Sequence, residues 1–104
     1  MKSIVRDQAK KYAFDWRDEP LLRVREKETI AIETWDASTG FFKTPDDKAI
    51  PAKRPGFDRS PPMANPIAGP VYIEGAEPGD VLVACIEEVE VADYSWVAVG
   101  PKRG

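Results

Sequence analysis

Proline is the residue that most constrains what this chain can fold into. The sequence has ten prolines in 104 residues, about twice the average usage. Five of them fall between residues 45 and 62. Because proline lacks a backbone N–H and restricts the residue before it, this stretch fits neither a helix nor a central strand. The spacing predicts a long loop over residues 43–63, of the kind used as a functional lid or an interface arm, or else mobile.

Short runs of apolar and β-branched residues predict strands on both sides of this loop. They fall at residues 21–25, 29–35, 71–73 and 81–91. Residues 1–11 are polar and basic and can be a loose lead-in or an edge strand. No amphipathic pattern exceeds two helical turns. The sequence therefore predicts one mainly β domain over residues 1–104, a sandwich or open barrel of antiparallel and mixed strands with a long Pro-rich loop.

Two turns are predicted from local chemistry. Residues 26–28 are a charged turn between two strands. Residues 77–80 read Glu-Pro-Gly-Asp, in which Pro78 suits the second position of a type II turn and Gly79 supplies the positive φ of the third. This second turn predicts a hairpin between residues 71–73 and 81–91.

Composition excludes several classes of function. The chain has no histidine, so it cannot form a histidine triad alone, and its single cysteine, Cys85, rules out an internal disulfide or a CxxC zinc site. The net charge of −3 gives no reason to expect nucleic acid or an anionic membrane as partner. Neither a signal peptide nor a membrane helix is visible, so a cytoplasmic protein is expected. Cys85 lies in an apolar run, which predicts a buried structural thiol.

Asp36 is the first candidate functional residue. It ends a predicted strand and precedes the small-residue turn Ala-Ser-Thr-Gly. Turn preferences favour an Asx cap, in which the carboxylate binds its own turn. The alternative is a metal ligand or hydrogen-bond acceptor at a strand end.

Other polar and aromatic residues have structural interpretations beside functional ones. Glu74, Glu77 and Asp80 can act as paired acid–base carboxylates, but they suit a solvated hairpin end better. The tryptophans are expected in the core or at an interface, and the acidic residues near the end of the last long strand at a solvated edge. These are Trp16, Trp35 and Trp96, and Glu87, Glu88 and Glu90.

The segment 65–70 has an unusual density of conformational constraints, with Asn65, two prolines and Gly69 in six residues. The structural interpretation is a rigid approach to the strand that follows. The functional interpretation is a preformed wall where a ligand or another chain approaches the backbone at Gly69.

Residues 65–80 (NPIAGPVYIEGAEPGD) closely resemble the signature of the acetamidase/formamidase family. Weaker similarities occur in the family's order at residues 33–40, 12–20 and 94–104. The resemblance spans nearly the whole chain but only the N-terminal part of the family, whose later part carries His-Gly and Gly-Asp-x-His motifs absent here. The chain departs from the family at residues 25–28, where a Pro-Gly turn is common, and across the Pro-rich loop.

The resemblance implies hydrolysis of a small linear or cyclic amide to a carboxylate and ammonia or an amine. It implies a divalent metal, zinc, which would polarise the carbonyl and activate a water. Carried onto this chain, it makes Asp36 the candidate metal ligand or catalytic carboxylate, on an equal footing with the Asx cap. Asn65 and Gly69 would shape the substrate pocket.

Two functional hypotheses follow. In the first, the chain is the small subunit of a two-chain amidase, and a larger subunit supplies the histidines. The turn chemistry of residues 100–104 suits a chain end there, from a separate gene or from processing. This hypothesis predicts a large apolar interface that uses Trp16, Trp96 and the Pro-rich loop. In the second, the chain is a non-catalytic binding or regulatory β module with a mostly polar surface.

Overall fold

The computed structural model describes residues 1–47 and 63–97. Their secondary structure consists of four three-residue strands and one 3-10 turn. The strands are β1 (Lys2–Ile4), β2 (Leu22–Val24), β3 (Ile30–Ile32) and β4 (Val71–Ile73), and the 3-10 turn spans Arg6–Gln8. The described residues thus confirm a β-rich chain, with three of the four strands at positions that the sequence predicts.

The strands associate in two interleaved parallel pairs. β1 pairs with β3, with Lys2 opposite Ile30, and β2 pairs with β4, with Leu22 opposite Val71. β1 also lies against β2. The lead-in therefore contains an edge strand, one of the two expectations for residues 1–11. No sandwich or barrel is formed by the described part of the chain.

The predicted hairpin is wrong, because β4 takes β2 as its partner instead of residues 81–91. Hydrogen bonds from Leu21 N to Pro70 O (2.9 Å) and from Glu74 N to Val24 O (2.8 Å) extend this parallel pairing at both ends. The pairing with β2 thus extends to Pro70, in the segment 65–70 that precedes β4. The turn at residues 77–80 then leads the chain away from this pair of strands. The turn residues predicted that the chain reverses direction here, but they do not determine which strand pairs with β4.

Both predicted turns are present. Glu28 N donates to Arg25 O at 3.1 Å, and Lys27 has a φ of +67°. Asp80 N donates to Glu77 O at 3.1 Å, and Gly79 has the positive φ that the sequence predicts, +96°.

The described core is small. Ile4 is fully buried, and Ala9, Val24 and Phe42 are nearly so. Ser38 is the one polar residue in the buried class among the described residues. These residues come from β1, the end of the 3-10 turn, β2 and the segment after β3.

Residues 81–97 belong to no strand or helix. Apolar residues between 81 and 91 are at least 74% exposed (Val81, Leu82, Val83, Ile86, Val89 and Val91). The prediction of a buried Cys85 is wrong, because its side chain is exposed. A continuous apolar run is typical of a strand covered on both faces, and the described residues supply no such cover. We call residues 81–91 the apolar arm.

The Pro-rich loop is described only at its ends, because residues 48–62 lie outside the described part of the chain. At its start, Asp47 Oδ2 accepts hydrogen bonds from Lys43 N (2.7 Å) and Thr44 N (3.0 Å). Residues 98–104 likewise lie outside. Within the described ranges, no helix is long and apolar enough to cross a membrane.

Candidate functional site

Asp36 opens a tight turn four residues after β3 ends. Its Oδ2 accepts hydrogen bonds from Ser38 N at 3.0 Å and from Ser38 Oγ, and its Oδ1 accepts from Gly40 N at 2.7 Å. Thr39 N donates to the Asp36 carbonyl at 3.0 Å. The carboxylate therefore forms the Asx cap that turn chemistry predicts.

A residue far along the chain completes this carboxylate's environment. Trp96 Nε1 donates to Asp36 Oδ2 at 2.9 Å. The Trp96 ring packs on Phe42 with a centroid separation of 4.4 Å, and Phe42 in turn meets Phe41 edge-to-face at 5.0 Å. The segment after the apolar arm is thus joined to the Asp36 turn by a hydrogen bond and a ring contact.

Hydrogen bonding keeps the Asp36 carboxylate charged. Partial burial raises its pKa, because it disfavours the charged form. The donors from Ser38, Gly40 and Trp96 act in the opposite direction and prevail, so the pKa of Asp36 lies below its ordinary value. The group is therefore an acceptor at neutral pH, without a proton to donate.

A surface pocket of about 420 Å³ opens beside Asp36. It is lined by residues from two segments, 34–40 and 92–96, together with Arg6. This volume lies within the roughly 300–1,000 Å³ that small-molecule sites typically occupy. Its lining combines aromatic walls with one anion and one cation, namely Thr34, Trp35, Asp36, Ala37, Gly40, Ala92, Tyr94, Ser95, Trp96 and Arg6.

Trp35 forms a fixed wall of this pocket. Its Nε1 donates to Arg6 O at 2.8 Å, and the Arg6 guanidinium lies 4.4 Å from its ring centroid. Lys10 Nζ lies 5.2 Å from the same centroid. Gly40 meets the ring from the turn side, where a Cβ would come within 2.8 Å of Trp35 Cζ3. Cation–π contacts and close packing thus hold the indole in place.

The segment that carries Asn65 and Gly69 reaches the Asp36 turn through its backbone. Asn65 N donates to Ala37 O at 2.9 Å, and Asn65 has a φ of +57°. Gly69 is buried, with a φ of +140° that favours glycine. Neither residue is part of the lining around Asp36. The structure thus places Asn65 against the turn and Gly69 farther along, before β4.

The other sequence candidates lie in exposed positions. Glu74, Glu77 and Asp80 are all exposed; Glu74 pairs with Arg25 at 3.5 Å, and Asp80 Oδ2 accepts Glu77 N at 2.9 Å. This agrees with a solvated turn. Trp16 is 92% exposed, whereas Trp35 and Trp96 are half-buried.

The described residues do not form a metal site by themselves. No three His, Cys, Asp or Glu side chains within residues 1–47 and 63–97 come together to hold an ion. Oδ2 of Asp36 already accepts three donors, from Ser38 N, Ser38 Oγ and Trp96, and Oδ1 accepts one. A structural or catalytic zinc needs three or four protein ligands. A metal at this position therefore requires ligands from outside the described chain.

Sequence reasoning missed two members of the site. Trp96 is 60 residues from Asp36 along the chain, and Arg6 is 30 residues before it. Neither belongs to a local motif that would connect it to the turn. Tryptophan and arginine both favour stacked, partly buried contacts. This preference predicts that each side chain packs against something, but not against which residue.

Comparison with known proteins decides the family. The profile of the acetamidase/formamidase family matches residues 2–100. This chain belongs to the acetamidase/formamidase family. Searches of curated proteins and of solved structures returned no match. The family assignment indicates amidohydrolase chemistry.

Proposed function

We propose that this chain is the small subunit of an amidase of the acetamidase/formamidase family, acting on a small linear or cyclic amide. The family match over residues 2–100 is the observation that carries the proposal. The missing histidines are supplied by a larger subunit that carries the later motifs of the family. The large exposed apolar residues, including Trp16 and those of the apolar arm, support association with such a partner.

The reaction adds water to the amide carbonyl and breaks the C–N bond, giving a carboxylate and ammonia or an amine. Asp36 contributes a charged acceptor fixed by Ser38 and Trp96. Its Oδ1, with one donor from Gly40, keeps capacity for another hydrogen bond. In this proposal Oδ1 accepts from the attacking water or from the substrate N–H and so orients it for reaction.

The family resemblance also suggests a divalent metal, zinc, which we place at the junction of the two subunits. Histidines of the larger subunit would bind this metal, and Asp36 Oδ1 could supply one further ligand. Asn65 supports the pocket through its hydrogen bond to Ala37, and Gly69 is proposed to let substrate or partner approach the backbone. Cytoplasmic residence is proposed on the sequence grounds given above.

The proposal is tested by reconstitution. The chain is expressed alone and together with a chain that carries the family's His-Gly and Gly-Asp-x-His part, and ammonia release from formamide and acetamide is measured. We expect no turnover from the 104-residue chain alone and turnover from the pair. Turnover by the isolated chain at enzyme-like rates would contradict the two-subunit proposal. A stable but inactive pair would favour the non-catalytic module.

A further inference from the structure

The apolar arm has the residue pattern of a strand in the interior of a β-sheet, but the described residues pair no strand with it. Residues 81–86 read Val-Leu-Val-Ala-Cys-Ile, so both faces of an extended chain are apolar there. Strands covered on both faces have this composition, whereas a half-exposed strand alternates. The arm therefore requires cover on both faces.

The described chain gives the arm almost no cover. A hydrogen bond from Thr29 Oγ1 to Glu87 Oε1 (3.4 Å) connects the arm to the residue before β3. No backbone hydrogen bond joins residues 81–91 to the rest of residues 1–47 and 63–97. The arm's backbone groups are thus open to pairing, as in an edge strand that another chain extends.

The exposed area is that of an interface. The six large aliphatic residues of the arm are each 74–88% exposed. Together they expose on the order of 700 Å², close to the roughly 800 Å² that each partner buries in a standard interface. This area is larger than the roughly 300–600 Å² of the largest apolar patch on a typical monomer.

The charges of the arm argue against a second copy of this chain. Glu87, Glu88 and Glu90 lie within four positions. Parallel in-register pairing of two arms would place these carboxylates directly opposite one another, which is destabilising. Antiparallel pairing centred on residue 86 would place them opposite the apolar half, where carboxylates have no cation. A complementary strand needs apolar residues at one end and Lys or Arg at the other.

We propose that residues 81–91 dock as a strand into an open β-sheet of the larger subunit, with apolar residues facing 81–86 and basic residues facing the three glutamates. This rests on the proposed function for the identity of the partner. The arm runs directly into residues 92–96, which line the Asp36 pocket. Docking of the arm thus fixes the segment that carries the Trp96–Asp36 hydrogen bond, so subunit binding and the shape of the pocket are coupled.

The native cysteine reports on this docking without any substitution. Cys85 is the single cysteine of the sequence and is exposed in the middle of the arm. Its alkylation by iodoacetamide is followed by peptide mass spectrometry, in the isolated chain and after mixing with the histidine-carrying family chain. We expect rapid labelling in the isolated chain and at least tenfold slower labelling in the complex.

A charge variant tests the complementary partner. Glu88→Lys in the arm is compared with Glu77→Lys, an exposed glutamate in the turn outside it, by isothermal titration against the same partner. We expect Glu88→Lys to weaken binding about tenfold and to reduce its dependence on salt, and Glu77→Lys to bind like the parent. Equal effects of the two variants would overturn the charge complementarity proposed here.

The remaining outcomes separate this inference from the proposed function. Absence of a complex overturns the docking of the arm together with the proposed function. A complex in which Cys85 is labelled at the free rate overturns the docking alone, even where that complex is active. Self-association of the isolated chain with Cys85 protected also overturns it, because the occupant is then a second copy. A complex that protects Cys85 but hydrolyses no amide supports the docking and overturns the proposed function.

Discussion

Trp96 Nε1 donates a hydrogen bond to Asp36 Oδ2 at 2.9 Å across 60 residues of sequence. This contact joins the segment after the apolar arm to the turn that carries the candidate carboxylate. Because the same Trp96 ring packs on Phe42, the packing and the hydrogen bond can be separated by substitution.

Trp96→Phe removes the indole donor and keeps an aromatic ring against Phe42. We expect the pKa of Asp36 to rise toward its ordinary value, because one donor that lowers it is lost. Carboxyl carbon chemical shifts during an NMR pH titration measure this pKa. Trp35→Phe is the matched control, since its indole donates to Arg6 O instead. An unchanged Asp36 pKa in the Trp96 variant would show that the hydrogen bond does not form in solution.

Asp36→Asn tests the pH dependence of stability. The pKa of Asp36 is lowered below its ordinary value in the folded state by the hydrogen bonds that it accepts, so its ionised form favours folding. This contribution is full above the unfolded value and is lost as the pH falls through the folded pKa. Urea unfolding of the parent and the variant should therefore differ most at neutral pH, and the difference should shrink below about pH 4. A difference that grows on acidification would contradict this sign.

Gly40→Ala tests the close contact between the turn and Trp35. Gly40 has a φ of +79° and a Cβ there would lie 2.8 Å from the ring, whereas Gly75 has a similar φ of +84° with nothing within 4 Å. We expect Gly75→Ala to cost about 1–2 kcal/mol from the backbone conformation, and Gly40→Ala about 1–3 kcal/mol more from overpacking. Urea denaturation midpoints compare the two variants. Equal losses would mean that the indole moves aside freely.

Ser38→Ala tests the hydrogen-bond network under Asp36. The buried Ser38 hydroxyl donates to Asp36 and accepts from Phe41 N (3.1 Å) and Phe42 N (3.4 Å). Its removal leaves backbone donors short of a partner, so we expect a loss of about 1–3 kcal/mol in the free energy of unfolding. The exposed Ser95 supplies the control, for which Ser95→Ala should change stability by less than about 0.5 kcal/mol. Similar values for both variants would contradict a structural role for the hydroxyl.

Local patterns predicted local structure well. The apolar runs that contain β2, β3 and β4 were recognised, and so were the turns at residues 26–28 and 77–80, because side-chain alternation and turn chemistry act within a few residues. The Asx cap of Asp36 was predicted on the same basis. These features depend on neighbours in sequence, which is why one sequence suffices for them.

Pairing and burial were predicted less well. The turn before the apolar arm suggested a hairpin, but β4 pairs in parallel with β2, and the choice between strand partners depends on contacts between segments about 50 residues apart. Cys85 was expected in a core because its neighbours are apolar. Apolar composition shows that a segment needs cover, not whether this chain provides it.

The most direct test of the central proposal is the rate of ammonia release from formamide and acetamide by the reconstituted pair of chains, with Asp36 intact or replaced. We predict turnover for the parent pair, none for the 104-residue chain alone, and at least a hundredfold loss of kcat for a pair carrying Asp36→Asn, with the complex still formed. Turnover by a pair carrying Asp36→Asn at the parent rate would contradict a role for Asp36 in amide hydrolysis.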